Sequence, residues 1–465
     1  MKPNLAKALA CAAAFTAALG GAGLAPAASA AVPADEAAQL GGDKLTCIGA
    51  ERAGNADGSI PAYSGKWLGA PPGIDPKKTP GHDPDAYPDE KPLFTITAQN
   101  LTQYADKLSD GEKALFKRYP STFRMPVYPS HRDFRYADWV CDALKKNAVT
   151  ATVIHDGIGV SAVTGAVPFP IPKTGSELQW NLQLPTRAWT EVATYDQGAV
   201  YANGNIAWGR VSYKILAPVN DPSKRGSTTE VLSSYFNVMT LLPERDKGSI
   251  NVGWTPNDYD HNYIHTWGYN PGTRRVREAP EFGYDLPQGA GGFRTVDDDR
   301  LLNGSPERYD WKIVGKRELY IPYDAWRLND PKVKYAELLK QPGSINPDYM
   351  RYELHRVWVL QGDLKPGYRH LYKKRVIYMD EDTYHGVMAD TYDGRGQLWR
   401  VGMVNYFYAY GMQAFHAGVS VYHDLVDGAY VADRLINEQP DGARLNEGGL
   451  TPNDFTPDAA RRGGH

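Results

Sequence analysis

The sequence has few cysteines and no long apolar run beyond its first thirty residues. It contains only Cys11, Cys47 and Cys141, and no pair of them has the spacing of a metal site. No apolar run after residue 30 approaches the length of a membrane-spanning helix. We therefore expect a soluble mature protein without a cysteine-held metal.

The sequence also lacks an excess of positive charge and the short motifs of common enzymes. Without Lys2 and Lys7 the chain has 49 basic residues, of 51 in all, and 54 acidic residues. A general nucleic-acid binder needs a basic face, so this balance disfavours that class. There is no G-x-S-x-G, H-E-x-x-H or Walker lysine loop. We expect no nucleic-acid partner, no metal and no cofactor.

The first thirty residues have the pattern of an export signal. Lys2 and Lys7 precede an uncharged, alanine-rich run over residues 8–28, and Ala28-Ser29-Ala30 has the small-x-small form that signal peptidase cuts. We expect residues 1–30 to be removed on export to the periplasm. An uncleaved anchor is the alternative.

Composition divides the mature chain into three parts. Residues 31–95 are dense in Gly, Pro and Asp without periodicity, which predicts an extended arm. Residues 96–437 are expected to form a single domain, and residues 438–465 an irregular tail. Cys47 lies in the arm and Cys141 on a predicted helix, so in an oxidising compartment they either form a disulfide between the two or remain buried thiols.

Helical signals come early in the domain and strand signals come late. Ser109 and Thr174 each precede a glutamate by three residues, which is typical of a helix start. From about residue 187 onward, period-two segments separated by turn residues indicate strands, with a meander over residues 351–404. No strand-helix-strand rhythm is present. We predict a mainly β, α+β fold built on a large antiparallel sheet.

Three polar clusters are candidates for chemistry. They are His261 with His265, Asp297-Asp298-Asp299, and His416 with His423 and Asp424. On a strand the first pair would lie about 13 Å apart, too far to share a metal ion. The acidic run lacks the alternating ligands of a calcium loop and is better explained as a solvated loop. The third cluster resembles a general-base dyad, but no nucleophile can be paired with it.

Aromatic residues on predicted strands and on one covering helix are candidates for lining a ligand cavity. A curved sheet uses such residues either as core fillers or as the wall of an apolar hollow, and both interpretations stay open. The candidates are Trp180, Trp254, Trp267, Trp311, Trp358 and Trp399. Arg274 and Arg277 are candidates for contacting an anionic headgroup, with exposed charge along a strand edge as the alternative.

Seven segments of the chain resemble successive blocks of the bacterial DUF1329 family. They are LTCIGAERAGNADGSIPAYSG, KPLFTITAQNLTQYADKLSDGEKALFKRYP, VPFPIPKTGSELQWN, YNPGTRRVREAP, NGSPERYDWKIVGKRELYIPY, RYELHRVWVLQGDLKPGYRHLYKKRVIYMDED and YDGRGQLWRV. The resemblance covers nearly all of the mature chain. It implies an unclosed, LolA/LolB-like antiparallel β-barrel whose concave side is covered by helices and holds an apolar cavity for acyl chains or other lipids. It also implies a periplasmic protein beside an RND-type inner-membrane exporter and a DUF1302-type outer-membrane protein.

The leading functional hypothesis is a periplasmic carrier that passes a lipid or other hydrophobic molecule between envelope components, with association with the outer membrane left open. One alternative is an exported hydrolase of a glycan or ester, using carboxylates such as Asp260 and Glu353, which a retaining glycosidase would hold about 5 Å apart. Another is a structural adaptor whose cavity is filled by its own side chains. The resemblance supplies no catalytic residues.

Overall fold

The computed structural model describes residues 32–161, 163–224, 232–260, 264–279 and 284–464. The export signal expected over residues 1–30, and His261, lie outside the described residues. The α-helices of the described residues are α1 Ala34–Ala37, α2 Asp110–Arg118, α3 Asp138–Thr150, α4 Gly175–Gln183, α5 Tyr335–Leu338 and α6 Pro457–Gly463. The longest of them has 13 residues, and none in the described part combines the length and hydrophobicity that a bilayer crossing requires.

The described residues also form twenty strands, which alternate with short 3-10 turns. They are β1 Phe94–Ile96, β2 Met125–Val127, β3 Thr152–Ile154, β4 Gly159–Ser161, β5 Thr190–Val200, β6 Ile206–Leu216, β7 Leu232–Leu242, β8 Ile250–Pro256, β9 His265–Asn270, β10 Arg275–Ala279, β11 Pro287–Gln288, β12 Arg294–Thr295, β13 Tyr309–Pro322, β14 Tyr352–Leu364, β15 Lys374–Asp380, β16 Gly386–Tyr392, β17 Leu398–Ala409, β18 Ala414–Asp424, β19 Tyr430–Leu435 and β20 Arg444–Leu445.

Sixteen of these strands form one large unclosed sheet. Its order is β1-β2-β14-β15-β16-β17-β18-β19-β5-β6-β7-β8-β9-β10, with β13 also paired to β14 and β20 to β5. Long neighbouring strands pair antiparallel, while β2 meets β14 in parallel at one position, so the sheet is mixed. The prediction of a mainly β fold with a large unclosed sheet is confirmed.

The predicted meander forms β14 to β17, although its second strand starts at Lys374 rather than at Tyr368. Both faces of this half of the sheet are covered. Helix α2 lies on the face that carries Asp390, and Leu301 lies against the other face. A Cβ atom on Gly402 would stand 2.6 Å from Leu301 Cδ2, so the glycine allows this close approach. As a result, β16 is buried along its whole length.

Residues 32–93 run as an arm along the domain and contain one short α-helix, α1, and one 3-10 turn, Pro76–Lys78. Cys47 of the arm and Cys141 of α3 form a disulfide, with their Cα atoms 5.2 Å apart. The Arg132 guanidinium donates to the backbone carbonyls of Glu51 and Pro61, at 2.7 and 3.2 Å. These bonds fix an arm that has almost no secondary structure of its own.

The C-terminal segment differs from the irregular tail that we expected, because it ends in helix α6. The helix packs on β8 and β9, where Ala460 joins a cluster with Ile250, Val252 and Tyr269. Thr456 caps the helix by accepting from the Ala459 amide at 3.1 Å. The tail therefore covers one face of this end of the sheet.

Helix α2 begins with the capping box predicted at Ser109. The Ser109 amide donates to the Glu112 carboxyl at 2.8 Å, and the Glu112 amide donates to the Ser109 hydroxyl at 3.0 Å. Glu112 is fully buried and lies near Asp390. Burial, with a smaller effect of the Asp390 charge, raises the pKa of Glu112 to about 8, and burial raises the pKa of Asp390 to about 7.

This buried pair predicts a pH-dependent effect of E112Q. Between pH 4.5, the ordinary pKa, and about 8, the folded chain keeps a proton on Glu112 that the unfolded chain releases. The stability that protonated Glu112 contributes to the folded chain therefore falls as pH rises through that window. Since E112Q has no such proton, we expect its stability relative to wild type to increase from pH 5 to pH 9 by at least about 1 kcal/mol, measured by urea denaturation. E447Q, at an exposed glutamate, is the control, and a difference independent of pH would contradict the account.

Candidate functional site

The concave face of β5 to β8 is formed by alternate residues of four strands. Cross-strand pairs place Tyr213 beside Val238, and Val238 beside Asn251. The same face continues through Phe236, whose ring lies over Gly253, where a Cβ atom would stand 2.3 Å from the ring. Period-two alternation along each strand thus builds one continuous wall.

The opposite wall is formed by helix α4 and by residues 284–304. From α4 and the turn after it come Trp180, Leu182 and Leu184. The second segment is anchored to the sheet at Gln197, which accepts from the Ala290 amide at 3.1 Å and donates to Asp433 at 2.8 Å. At Ala290 this segment packs on β5 and β6, where a Cβ atom on Gly209 would stand 3.5 Å from the Ala290 Cβ atom. Beyond this contact the cavity is lined by residues of β7 and β8.

Between these walls lies a cavity of about 960 Å³. This volume is near the upper end of the range for small-molecule sites. Its apolar lining includes Val211, Ile215, Phe236, Val238, Leu242 and Leu302. Most wall positions of β7 are only half-buried, because their side chains face the hollow instead of a packed core.

A group of charged residues lies at one side of the cavity; we call it the charged cluster. It consists of Arg187, Arg294, Arg300, Arg434, Glu191, Asp299 and Asp433. Arg294 pairs with Asp433 at 2.8 Å and with Asp299 at 3.0 Å. Arg434 pairs with Glu191 and also donates to the Tyr195 hydroxyl at 3.0 Å.

Burial and neighbouring charges shift the pKa values of two groups in the charged cluster. Burial favours the neutral form of Glu191, but Arg434 and the other cations outweigh it and lower the pKa of Glu191 to about 2. Burial lowers the pKa of Arg187 to about 10, and the like charge of Arg300 contributes. Both groups are therefore charged at neutral pH.

A small recess of about 20 Å³ continues from the charged cluster, lined by Arg187 and Arg300 together with His385, His416 and Tyr406. Burial lowers the pKa of both His385 and His416 to about 3. These imidazoles are neutral at physiological pH, so they add no charge to the site.

Of the six predicted tryptophans, Trp180 lines the cavity. Trp254 and Trp267 lie on the opposite, convex face of β8 and β9, with ring centroids 4.8 Å apart. The Trp254 indole donates to the Phe455 carbonyl of the C-terminal segment at 2.9 Å. The reason is strand register: Thr255, one residue further, points into the cavity.

The other three tryptophans also stand outside the cavity. The Trp311 indole donates to the Pro306 carbonyl at 3.0 Å, and the Trp399 indole donates to Asp424 at 2.9 Å. The Trp358 ring lies under the Lys316 ammonium, 4.4 Å from the ring centroid. These rings pack around β13 to β18, where both faces of the sheet are covered.

Arg274 and Arg277 lie on the hairpin of β9 and β10, and both are exposed and outside the cavity lining. Arg274 sits in the turn with a φ of +54°, and Arg277 is on the edge strand. Their contact with a headgroup stays a prediction.

The carboxylates considered for hydrolysis also lie outside the cavity lining. Glu353 is fully buried and accepts from Arg351 at 2.6 Å, while Asp260 is exposed. His416 borders the recess. Both ring nitrogens of His423 are buried without a hydrogen-bond partner among the described residues.

Within the described ranges, one group of three side chains has donor atoms close enough for a metal ion. The atoms of His355, Asp380 and Asp382 lie within 4.8 Å of one another. Asp382 already accepts two bonds from Arg132, at 2.7 and 2.8 Å. Burial opposes protonation of His355, but Asp380 and Glu353 outweigh it and raise the pKa of His355 to about 10. His355 lies 3.2 Å from Glu353 and 3.5 Å from Asp380, so in this structure the group is part of an ion-pair network.

The family model described as a protein of unknown function, DUF1329, matches residues 95–461. The chain belongs to the DUF1329 family. It is 42% identical over 439 residues to the uncharacterized protein PA3922 of Pseudomonas aeruginosa, covering 94% of each chain.

Three solved structures superimpose on part of this DUF1329 protein. A Vibrio parahaemolyticus domain, provisionally named an outer membrane lipoprotein-sorting protein, superimposes with a TM-score of 0.42 at 16% identity, covering 62% of this chain and 97% of that one. A DUF1329 protein from Desulfovibrio piger gives 0.37 at 13% identity, covering 59% and 92%. The LolA superfamily protein NE2245 from Nitrosomonas europaea gives 0.37 at 12%, covering 62% and 100%. Likenesses at these scores say nothing about what this protein binds.

Most of the charged cluster and of the cavity wall of this DUF1329 chain were not predicted from the sequence. Asp299 was considered only as part of a solvated acidic loop, and that interpretation is wrong, because Asp297 and Asp298 are buried and Asp299 pairs with Arg294.

Period-two alternation over Val211, Tyr213 and Ile215 was the available signal for the wall. Arg187 and Arg300 carried no signal, because Arg187 lies just before β5 and Arg300 lies in a segment without periodicity.

The buried pair of Glu191 and Arg434 predicts strong coupling in a double-mutant cycle. R434M would leave Glu191 charged and without its main partner, at a cost of about 3–5 kcal/mol in the free energy of unfolding. The double variant E191Q/R434M should recover much of that loss, because neither charge is then buried alone. Urea denaturation measures both, and additive losses would show that the pair is not coupled.

Proposed function

We propose that this DUF1329 protein is a periplasmic carrier that holds a lipid or other hydrophobic molecule in the cavity of its half-barrel and passes it between envelope components. The supporting observation is the cavity of about 960 Å³ beside the concave wall of β5 to β8. The adaptor alternative expected this space to be filled by the protein's own side chains.

Burial would drive the apolar part of the guest into the cavity. Each methylene group transferred from water contributes roughly 0.8 kcal/mol. Phe236, Val238 and Leu242 are half-buried on one strand, so a guest lying along β7 would cover apolar surface that now faces the hollow. The proposed partners are an RND-type inner-membrane exporter, which would supply or receive the guest, and a DUF1302-type outer-membrane protein.

The carrier proposal predicts that filling the cavity abolishes binding. Val238 lies at the middle of the concave wall, so V238W would place an indole in the hollow. K214W is the matched control, because Lys214 neighbours Tyr213 on β6 and points to the opposite face. Titration with the neutral fluorophore N-phenyl-1-naphthylamine should show at least about tenfold weaker binding to V238W and unchanged binding to K214W.

Native mass spectrometry of the protein purified from the periplasm provides the second readout. We expect a copurified apolar molecule on the wild type and on K214W, and its loss from V238W. An empty wild type that also fails to bind the fluorophore would refute the carrier function.

A further inference from the structure

We propose that Arg187 and Arg300 form an anion-binding subsite inside the cavity, so that the guest is an amphiphile with an acidic headgroup and an apolar tail. This inference rests on the proposed carrier function and names the chemical class of its guest. A carboxylate and a phosphate monoester share the required chemistry.

The first support is a surplus of positive charge. The charged cluster contains four arginines and three carboxylates. Two of the arginines, Arg294 and Arg434, pair with these carboxylates within hydrogen-bond distance. Arg300 stands 3.7 Å from Glu191, which is an ion pair without a hydrogen bond. The remaining cation, Arg187, has no carboxylate of its own in the cluster.

The second support is a set of unused hydrogen-bond donors. The Arg187 guanidinium makes no hydrogen bond to any residue that the structure describes, and the Arg300 Nε is buried without a partner among those residues. Tyr213 lines the same cavity, and its hydroxyl is likewise unbonded within the described part of the chain. The Arg300 Nε is buried, and buried donors are rarely left unpaired. Arg187 and Tyr213 are half-buried and line the cavity. Guanidinium groups bind carboxylate or phosphate with a fork of N–H groups.

The third support is the backbone at Arg300. Arg300 and Leu301 have φ values of +50° and +73°, in the left-handed region that residues with side chains rarely adopt. The Leu301 side chain packs against Gly402, and this conformation directs Arg300 to the cavity and the recess. Such conformations persist where the surrounding structure holds them, often at ligand sites.

The position of the subsite fits an amphiphile. Arg187 and Arg300 border both the cavity and the recess, whereas the apolar side chains of Phe236, Val238 and Leu242 extend from them along β7. A headgroup held between the arginines would therefore leave its tail against the apolar wall. The pair Arg245 and Asp246 lines the cavity elsewhere, and its two charges satisfy each other at 3.0 Å.

The test compares ligands with the same tail and different heads. Dodecanoic acid, dodecyl phosphate and dodecanol each displace N-phenyl-1-naphthylamine from the wild-type protein. We expect the two anions to bind at least about tenfold more tightly than the alcohol. The order of the two anions then tells whether the headgroup is a carboxylate or a phosphate, and either order supports the proposal.

The variant R187Q separates recognition from folding. In R187Q the ratio of anion affinity to dodecanol affinity should fall to nearly one, while the affinity for dodecanol stays unchanged. Its melting temperature without ligand should not fall below that of the wild type, because the half-buried Arg187 side chain makes no hydrogen bond to the described residues that the substitution would break. R187K, which keeps the charge, should retain most of the preference. R395Q, which removes an exposed arginine that is paired with Asp393 and lies outside the cavity lining, should behave as wild type.

Three results would overturn the subsite. They are equal binding of acid and alcohol by the wild type, an equal loss of preference in R395Q and R187Q, and a lowered melting temperature of R187Q with loss of all ligands. In the first two cases dodecanol and the fluorophore still bind, so the carrier function survives. Failure of every ligand to bind the wild type would instead refute the carrier function itself.

Discussion

The cavity depends on how residues 284–304 are held against the sheet. Leu301 packs closely on β16 and β17, where two glycines leave room for it. A Cβ atom on Gly386 would stand 3.3 Å from one Leu301 methyl group, and a Cβ atom on Gly402 would stand 2.6 Å from the other. At the other side, the bond from the Ala290 amide to Gln197 and the ion pair of Arg294 with Asp433 hold the segment on β5 and β19. The same segment thus packs on β16 and β17 and, from its contacts on β5 and β19, forms one wall of the cavity over the other half of the sheet.

This arrangement explains why the two halves of the sheet differ in burial. Strand β16 is buried along its length because α2 and Leu301 cover its two faces. Strand β7 has its convex face under the C-terminal segment and its concave face on the hollow, so most of its residues are half-buried. Leaving this face unfilled costs stability, and burial elsewhere in a large core offsets that cost. A bound guest would stabilise the folded protein further by covering the face.

Local features of the fold could be predicted from the sequence, whereas the site depended on long-range pairing. The helix starts at Ser109 and Thr174 follow from capping chemistry within four residues, and both form. Trp254 was assigned to the cavity although it faces the tail, because a shift of one residue exchanges the faces of a strand. The concave face of the sheet is set by pairing between residues that are far apart in sequence, so no local pattern identifies it. The position of Arg300 follows from a left-handed backbone that no local pattern indicates.

The central claim is that the hollow under residues 284–304 holds an apolar guest. A crystal structure of the protein purified from the periplasm without delipidation tests it most directly. The account predicts elongated electron density that runs from Arg187 along β7, past Phe236 and Val238. A cavity closed by the protein's own side chains, with Leu302 or Phe236 packed across it and no density between the walls, would contradict it.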